Sequence, residues 1–394
     1  DIVEVRLPTN SLCDMKSLSF HAHASVAANL AGTTGKMPRG GLAGLVERIE
    51  VLAGGQVLSQ GFPEYSAYNI CKNNTADSYN KWIERKVLQG SDINQGALAP
   101  VNVPYVMPIF HGFVGSVEPT FLALDTIPEI SVRIYLKGNY VCPLNAGAAV
   151  PALSPAIYSL SDIYFTIDSV GLPAAFGEMV EQKMVEQGFI EMPYKQTFSF
   201  NQSNAGAAAT NRFSVSSQSI DEMLAVMRPT DASVGAFLPQ AYNAAQIPID
   251  GGAGAGVDSV MAELSADTCF FDNGIDSARF SLNNLYFPTY EATSADWYNA
   301  HLTAKAETYE ANSGDIVNSL LCWQNAMWCA QVRLSHPGDD AERLISGYDS
   351  RGSNSIATFE TKATAAGRAN QTTIFATTHS VLRAGAGRQI QVLQ

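Results

Sequence analysis

Few residues in this sequence stand at spacings that could support chemistry. His21 and His23 lie two apart on one face of the alternating stretch SLSFHAHASV, where two imidazoles could begin a metal site. Such a site needs three or four ligands, and no further ligand stands alongside, so the pair reads as surface histidines. Cys322 and Cys329, seven apart, fall on one side of an expected helix. Without a CxxC spacing or a His partner they read as core thiols. The run Gly251 to Gly256 has the composition of a phosphate cradle, but no Gly-Lys-Ser/Thr follows it. A P-loop needs that lysine and its helix, so the run reads as a surface loop.

The acids Asp339, Asp340, Glu178, Glu181, Asp272 and Asp276 fall on expected turns or helix faces, with no base at a defined spacing from any of them. They read as solvated carboxylates. There is no GxSxG, no HExxH and no Cys set beside a recognisable His motif. The reading is therefore of a protein that is not an enzyme, with no catalytic, cofactor-binding or metal site and no cofactor. Tyr286, Tyr290, Trp297 and Tyr298 keep a second reading open, as the stacking platform of a carbohydrate-binding or glycoside-cleaving β-sandwich. The triplets at Asn73, Asn201 and Asn370 fit the glycosylation pattern and are read as silent.

The elements that must position these residues are mostly strands. A chain of 394 residues exceeds what one core holds, so two domains are expected. With 46% hydrophobic and 15% charged residues, the chain can build packed cores. Its net charge of −13 argues against coating nucleic acid by phosphate neutralisation. Six scattered cysteines suggest reduced thiols rather than a disulfide framework. No long apolar run suggests a membrane span, and DIVEVRLPTN does not look like a secretion signal.

Alternation marks strands in DIVEVRLP, SLSFHAHASV, EISVRIYL, SDIYFTIDSVGL and FIEMPYKQTFSF. LVERIEVLAGGQVLSQ predicts a hairpin turning at Gly54-Gly55, since paired glycines supply the positive φ of a tight turn. A short helix is expected after it, and a second over TADSYNKWIERKVLQG. SARFSLNNLYFPTYEATSADWYNAH repeats the order of strand, turn, strand and helix, with Asn283-Asn284 in place of the glycines. Between the copies, PAAFGEMVEQKMVEQG predicts an amphipathic helix from Pro173 to Gly188, with Phe176, Met179, Val180, Met184 and Val185 on one side. Further helices are expected over 295–311 and 315–331, and residues 203–270 carry no motif.

Within Val106 to Asn139, the order Pro-apolar-Phe, then a small-residue turn, Phe-Leu-Ala-Leu, and Pro-Glu-Ile-x-Val-x-Ile-x-Leu resembles a signature of the major capsid proteins of double jelly-roll viruses, the PRD1–adenovirus lineage. The hairpin-and-helix units, and the closing Ile-Ser-Gly, Asp-Ser-Arg-Gly-Ser-Asn and Ser-Val-Leu-Arg, are similar to that family in the same order. The resemblance implies an all-β fold of two consecutive eight-stranded jelly rolls. Short helices would lie in the connections and one helix between the rolls. The first roll would span 1–172, the linker helix 173–188 and the second roll 189–394. It further implies a tile of an icosahedral shell, assembled in the host cell interior, that forms homotrimers of pseudo-hexagonal outline. The implied partners are neighbouring capsomers and penton or minor capsid proteins, with no sequence-specific nucleic-acid binding; the presence of an internal membrane is left open.

Overall fold

The computed structural model describes residues 1–9, 11–27, 34–59, 61, 63–76, 87–90, 94–95, 103–108, 110–125, 127–142, 144–145, 157–171, 173–230, 268, 270–306, 323–324, 327–335, 347–352, 356–385 and 387–393. The first half holds β1 (Ile2–Arg6), β2 (Ser11–Asp14), β3 (Ser19–Ala27), β4 (Thr34–Lys36), β5 (Val46–Ala53), β6 (Gln56–Ser59), β7 (Asn94–Gln95), β8 (Val103–Met107), β9 (Phe121–Ala123), β10 (Ile130–Leu136), β11 (Leu144–Asn145), β12 (Ile157–Thr166) and β13 (Ser169–Gly171). One sheet has the order β1-β10-β5-β6. Opposite it run β12-β3-β8 and its continuation β13-β2-β9, with a small sheet β11-β4-β7 beside them. The continuation bends at Met15–Ser17, where the Asp14 carboxylate accepts from the Lys16 N–H at 3.0 Å and Ser17 Oγ accepts from the Asp168 N–H at 2.8 Å.

Alternation in sequence becomes alternation in burial. Phe20, Ala22, Ala24 and Val26 of β3 are wholly buried, and Ile130, Val132 and Ile134 of β10 meet Ile49 and Val51 of β5 in the same core. Each such valine, isoleucine or phenylalanine contributes roughly 1.5–3 kcal/mol by leaving water, and the alanines less.

The second half holds β14 (Phe189–Asn204), β15 (Ala209–Ser214), β16 (Ile220–Pro229), β17 (Ser277–Leu282), β18 (Leu285–Ala292), β19 (Ala330–Arg333), β20 (Ile356–Lys362), β21 (Asn370–Gly385) and β22 (Gln389–Leu393). Its sheets run β14-β21-β16-β19, with β22 on β21, and β15-β20-β17-β18. Counting β14 to β21 as places one to eight, the sheets read 1-8-3-6 and 2-7-4-5, which is the strand order of a jelly roll. The first half reads 2-7-4-5 and 8-3-6 when β1 takes place two and β12 with β13 takes place eight. No described strand before residue 173 pairs with one after it.

Both expected hairpins join places four and five. Gly54 and Gly55 have φ of 56° and 85°, and Asn283 and Asn284 have 48° and 67°. Each hairpin leads into a helix, Tyr65–Ala76 in one case and Ser294–Ala306 in the other. The helix Ala174–Gln187 starts after Pro173 and stops at Gly188, whose φ is 85°. Its inward stripe is Phe176, Val180 and Met184, at a spacing of four, whereas Met179 and Val185 are 65% and 71% exposed. The expected five-residue face was too wide, because 100° steps carry those two residues off the stripe.

A second correction concerns 315–331. Ala330 to Gln331 is strand, since Gln331 pairs with Leu224 and so fills place six. Sheet pairing here overrides local helix propensity. The expected helix over 75–90 lies largely outside the described residues. The turns give a direct test: a Cβ on Gly55 would meet nothing within 4 Å, so Gly55→Val is strained by its positive φ alone. Urea denaturation of Gly55→Val and Asn284→Val is expected to show a loss of about 1–2 kcal/mol each. Asn284→Gly is expected to be nearly neutral.

Candidate functional site

A cluster of buried charged and polar side chains lies where the helix Tyr65–Ala76 of the first half meets the β14-β21-β16-β19 sheet of the second. Every residue from Tyr65 to Cys71 is buried, so this helix has no wet face over its first two turns. In β16, a bulge between Ile220 and Glu222 places two successive acids, Asp221 and Glu222, at the seam. Glu222 accepts from Tyr68 Oη at 3.0 Å, Lys72 Nζ at 2.6 Å and Gln331 Nε2 at 3.1 Å. Asp221 accepts from Lys195 Nζ at 2.7 Å and from Ser335 Oγ. Glu64 takes Arg228 at 2.9 Å and Lys137 at 3.2 Å, and both cations are 1% exposed.

Around these charges the two halves interlock. Tyr194 Oη donates to the Leu58 carbonyl at 2.8 Å while its ring stands edge-on to Phe113. Tyr68 stands edge-on to Phe375, and the Lys195 N–H donates to Ser116 Oγ at 2.8 Å. Burial alone would raise the Glu222 and Glu64 pKa values, but Lys72 in one case and Lys137 with Arg228 in the other hold them below the ordinary 4.5. Burial likewise opposes the low pKa of Asp221, and Lys195 outweighs it. Buried charges so paired fix geometry more than they add stability, and each becomes costly if its partner is lost.

The residues singled out in the sequence do not gather. His21 stacks on Tyr164 with its Nε2 2.9 Å from Thr166 Oγ1, and His23 lies 3.4 Å from Asp162. Among the described residues no three potential ligands are grouped for a metal. Asp272 and Asp276 are not simply solvated. Asp272 accepts from the Gly274 N–H and Ser294 Oγ, and Asp276 from the Thr364 N–H at 2.6 Å, so both anchor loops. Glu178 and Glu181 are exposed. Asp339, Asp340, Cys322 and the glycines 251–256 lie outside the described residues. Cys329 is buried, and its side chain hydrogen-bonds with that of Cys71.

Trp297 is 4% exposed and edge-on to Phe280. It is a core anchor of its helix, and only Tyr286 and Tyr290 of the supposed platform face water, with Arg279 lying over Tyr286 at 3.9 Å. Sequence reasoning missed a buried pair, Ser219 Oγ and His379 Nδ1 at 3.0 Å. A hydroxyl against an imidazole is part of a hydrolase triad, but at 3% and 4% exposure inside the sheet it gives a substrate no approach.

Replacing Lys72 by Met strips Glu222 of its counter-charge, and the expected cost is about 3–5 kcal/mol in chemical denaturation, mostly recovered in Lys72→Met/Glu222→Gln. A loss below about 1 kcal/mol, the value of an exposed pair, would contradict the seam's role. The folded-state values of Glu64 and Glu222 are depressed, so their contribution is complete above 4.5 and is lost as pH falls through the folded values. Acidification below 4.5 should therefore weaken the wild type more than the double variant.

No protein-family model matches the sequence, and no curated protein matches it. Solved structures do match over the whole chain. The crystal structure of PBCV-1 VP54 fitted into a reconstruction of the virophage Sputnik aligns at a TM-score of 0.57 and 15% identity, covering 100% of this chain and 92% of that one. A quasi-atomic model of the PBCV-1 virus capsid aligns at 0.58 and 13%, with the same coverage. The Faustovirus major capsid protein aligns at 0.57 and 9%, covering 100% and 88%. The fold these alignments share with the chain is the double jelly roll.

Proposed function

We propose that this chain, a double jelly roll from end to end, is a major capsid protein and serves as a structural tile of an icosahedral virus shell. The observation that carries the reading is the full-length correspondence of two rolls in series with capsid proteins whose own chains are covered to about nine-tenths. Fold alone does not assign a function, since jelly rolls host many. The chemistry of the site adds support. Its buried acids are neutralised by lysines and arginines at a seam between rolls, an arrangement suited to holding two sandwiches in one fixed register.

On this reading residues 1–172 form the first roll, 173–188 the linker helix and 189–394 the second roll. The two rolls stand side by side as neighbouring corners of a tile, and three chains give six corners, a pseudo-hexagonal outline. The protein acts mechanically and not as an enzyme. It resides in the virion and assembles in the host cell, against neighbouring capsomers and penton or minor capsid proteins. The net charge of −13 suits a tile that leaves the genome to other components.

Carbohydrate binding as the main function is disfavoured by Trp297, which is spent on the core. Multi-angle light scattering tests the assembly: the purified protein is expected at about three times 42.2 kDa, with no stable monomer at micromolar concentration. A monodisperse monomer would overturn the trimeric tile.

A further inference from the structure

Two thiols meet across the seam. Tyr68, Cys71 and Lys72 stand on one stripe of the helix Tyr65–Ala76, at spacings of three and four, and both neighbours of Cys71 on that stripe reach Glu222, Tyr68 at 3.0 Å and Lys72 at 2.6 Å. Cys71 therefore faces the second-half sheet. Cys329 arrives from the other side. It stands two residues before Gln331 of β19, whose side chain donates to the same Glu222 carboxylate at 3.1 Å, and residues two apart along a strand share a face. Both cysteines are thus aimed into one place, and their side chains hydrogen-bond to each other there. Cys71 is 1% exposed and Cys329 is 4% exposed, and neither is in a disulfide.

A buried thiol ordinarily serves as small core packing. Cys142, wholly buried, fits that reading. Cys71 and Cys329 differ from it in coming from separate halves of the chain and in meeting sulfur to sulfur. A thiol is a weak donor and a weak acceptor, so the hydrogen bond between them holds the seam only lightly. A covalent bond in the same place would hold it firmly.

We propose that Cys71 and Cys329 form a site of oxidative cross-linking, at which a disulfide joins the helix of the first half to the sheet of the second. The loop it closes contains well over half the chain, so the bond restricts the unfolded chain strongly. It also fixes the helix over β16 and β19 by a contact that neither salt nor acid weakens.

A small hydroperoxide is the oxidant, since a molecule little larger than water is what reaches a pair so buried. One thiol gives up its proton and the thiolate attacks a peroxide oxygen. An S–O bond forms as O–O breaks, and the departing hydroxide takes the proton and leaves as water. The second sulfur, deprotonated in turn, attacks the resulting sulfenic sulfur, so that S–S forms, S–O breaks and a second water leaves. Two thiols and one hydrogen peroxide become one disulfide and two waters, the sulfurs losing two electrons and the peroxide gaining them. Burial, and after it the bonded Cys329, push the Cys71 thiol well above its usual value, while Arg39 and Arg228 oppose the rise. Thiolate is therefore scarce at neutral pH, and the reduced pair persists until an oxidant is supplied.

The test treats the purified full chain, reduced and then freed of reductant, with hydrogen peroxide in native buffer. Remaining thiols are then alkylated in denaturant, and the chain is digested without reduction for mass spectrometry. Most chains are expected to yield one peptide pair joined through Cys71 and Cys329, released by a phosphine reductant. Hydrogen exchange of the helix Tyr65–Ala76 is expected to slow by about tenfold or more on oxidation of the wild type, and to be unchanged by peroxide in Cys329→Ala. Comparing oxidised with reduced samples of each protein removes any effect of the substitution on folding. Recovery of Cys71 and Cys329 as alkylated thiols would overturn the proposal. So would their separate oxidation to sulfinic or sulfonic acids, or a disulfide from either one to a different cysteine.

Discussion

The structure depends on a carboxylate kept ionised where water does not reach it freely. Glu222 sits in a sheet of the second roll, and the groups that neutralise and hydrogen-bond it include Lys72 and Tyr68, on a helix that belongs to the first. A charge in such a place is tolerated only with its partner in place, so the position of the helix is tied to that of the sheet. Glu64 repeats the arrangement in the other direction, reaching Arg228 of β16 from the first half. Apolar packing around Phe113, Tyr194 and Phe375 adds area and little register. The ion pairs supply the register.

That constraint explains why the middle of the chain looks as it does. β16 is buried from Ile220 to Arg228, because one face meets its own roll and the other meets the first-half helix. A strand covered on both faces reads as a continuous apolar run, IDEMLAVMRP, with charged residues only where a partner waits. Its acids and its arginine are the residues of the seam.

Much of the fold was legible in the sequence where the signal was local. The alternation of Phe20 to Val26 and of Ile130 to Ile134, and the positive-φ pairs Gly54-Gly55 and Asn283-Asn284, need only neighbours to be read. The helix between Pro173 and Gly188 was legible from its punctuation, although its buried stripe was drawn too wide. What was not legible depends on distant partners. Glu222 and Lys72 are 150 residues apart, and nothing near either announces the other. β16, β15 and the pair Ser219 and His379 fell in stretches without a motif or beneath an unremarkable strand pattern. β19 was hidden in a helix-like composition, because pairing with β16 decided its conformation. The histidines of β3 lie on a sheet surface, and Trp297 lies in a core while Tyr286 and Tyr290 face water.

Two rolls locked side by side are proposed to make one-third of a six-cornered tile. Electron microscopy of the purified protein, averaged to about 20 Å, tests it most directly. Particles of threefold symmetry with six lobes in a near-hexagonal outline are expected, each lobe of jelly-roll size and upright to the plane. Particles with two lobes that hinge freely about 173–188, or rings of any other symmetry, would contradict it.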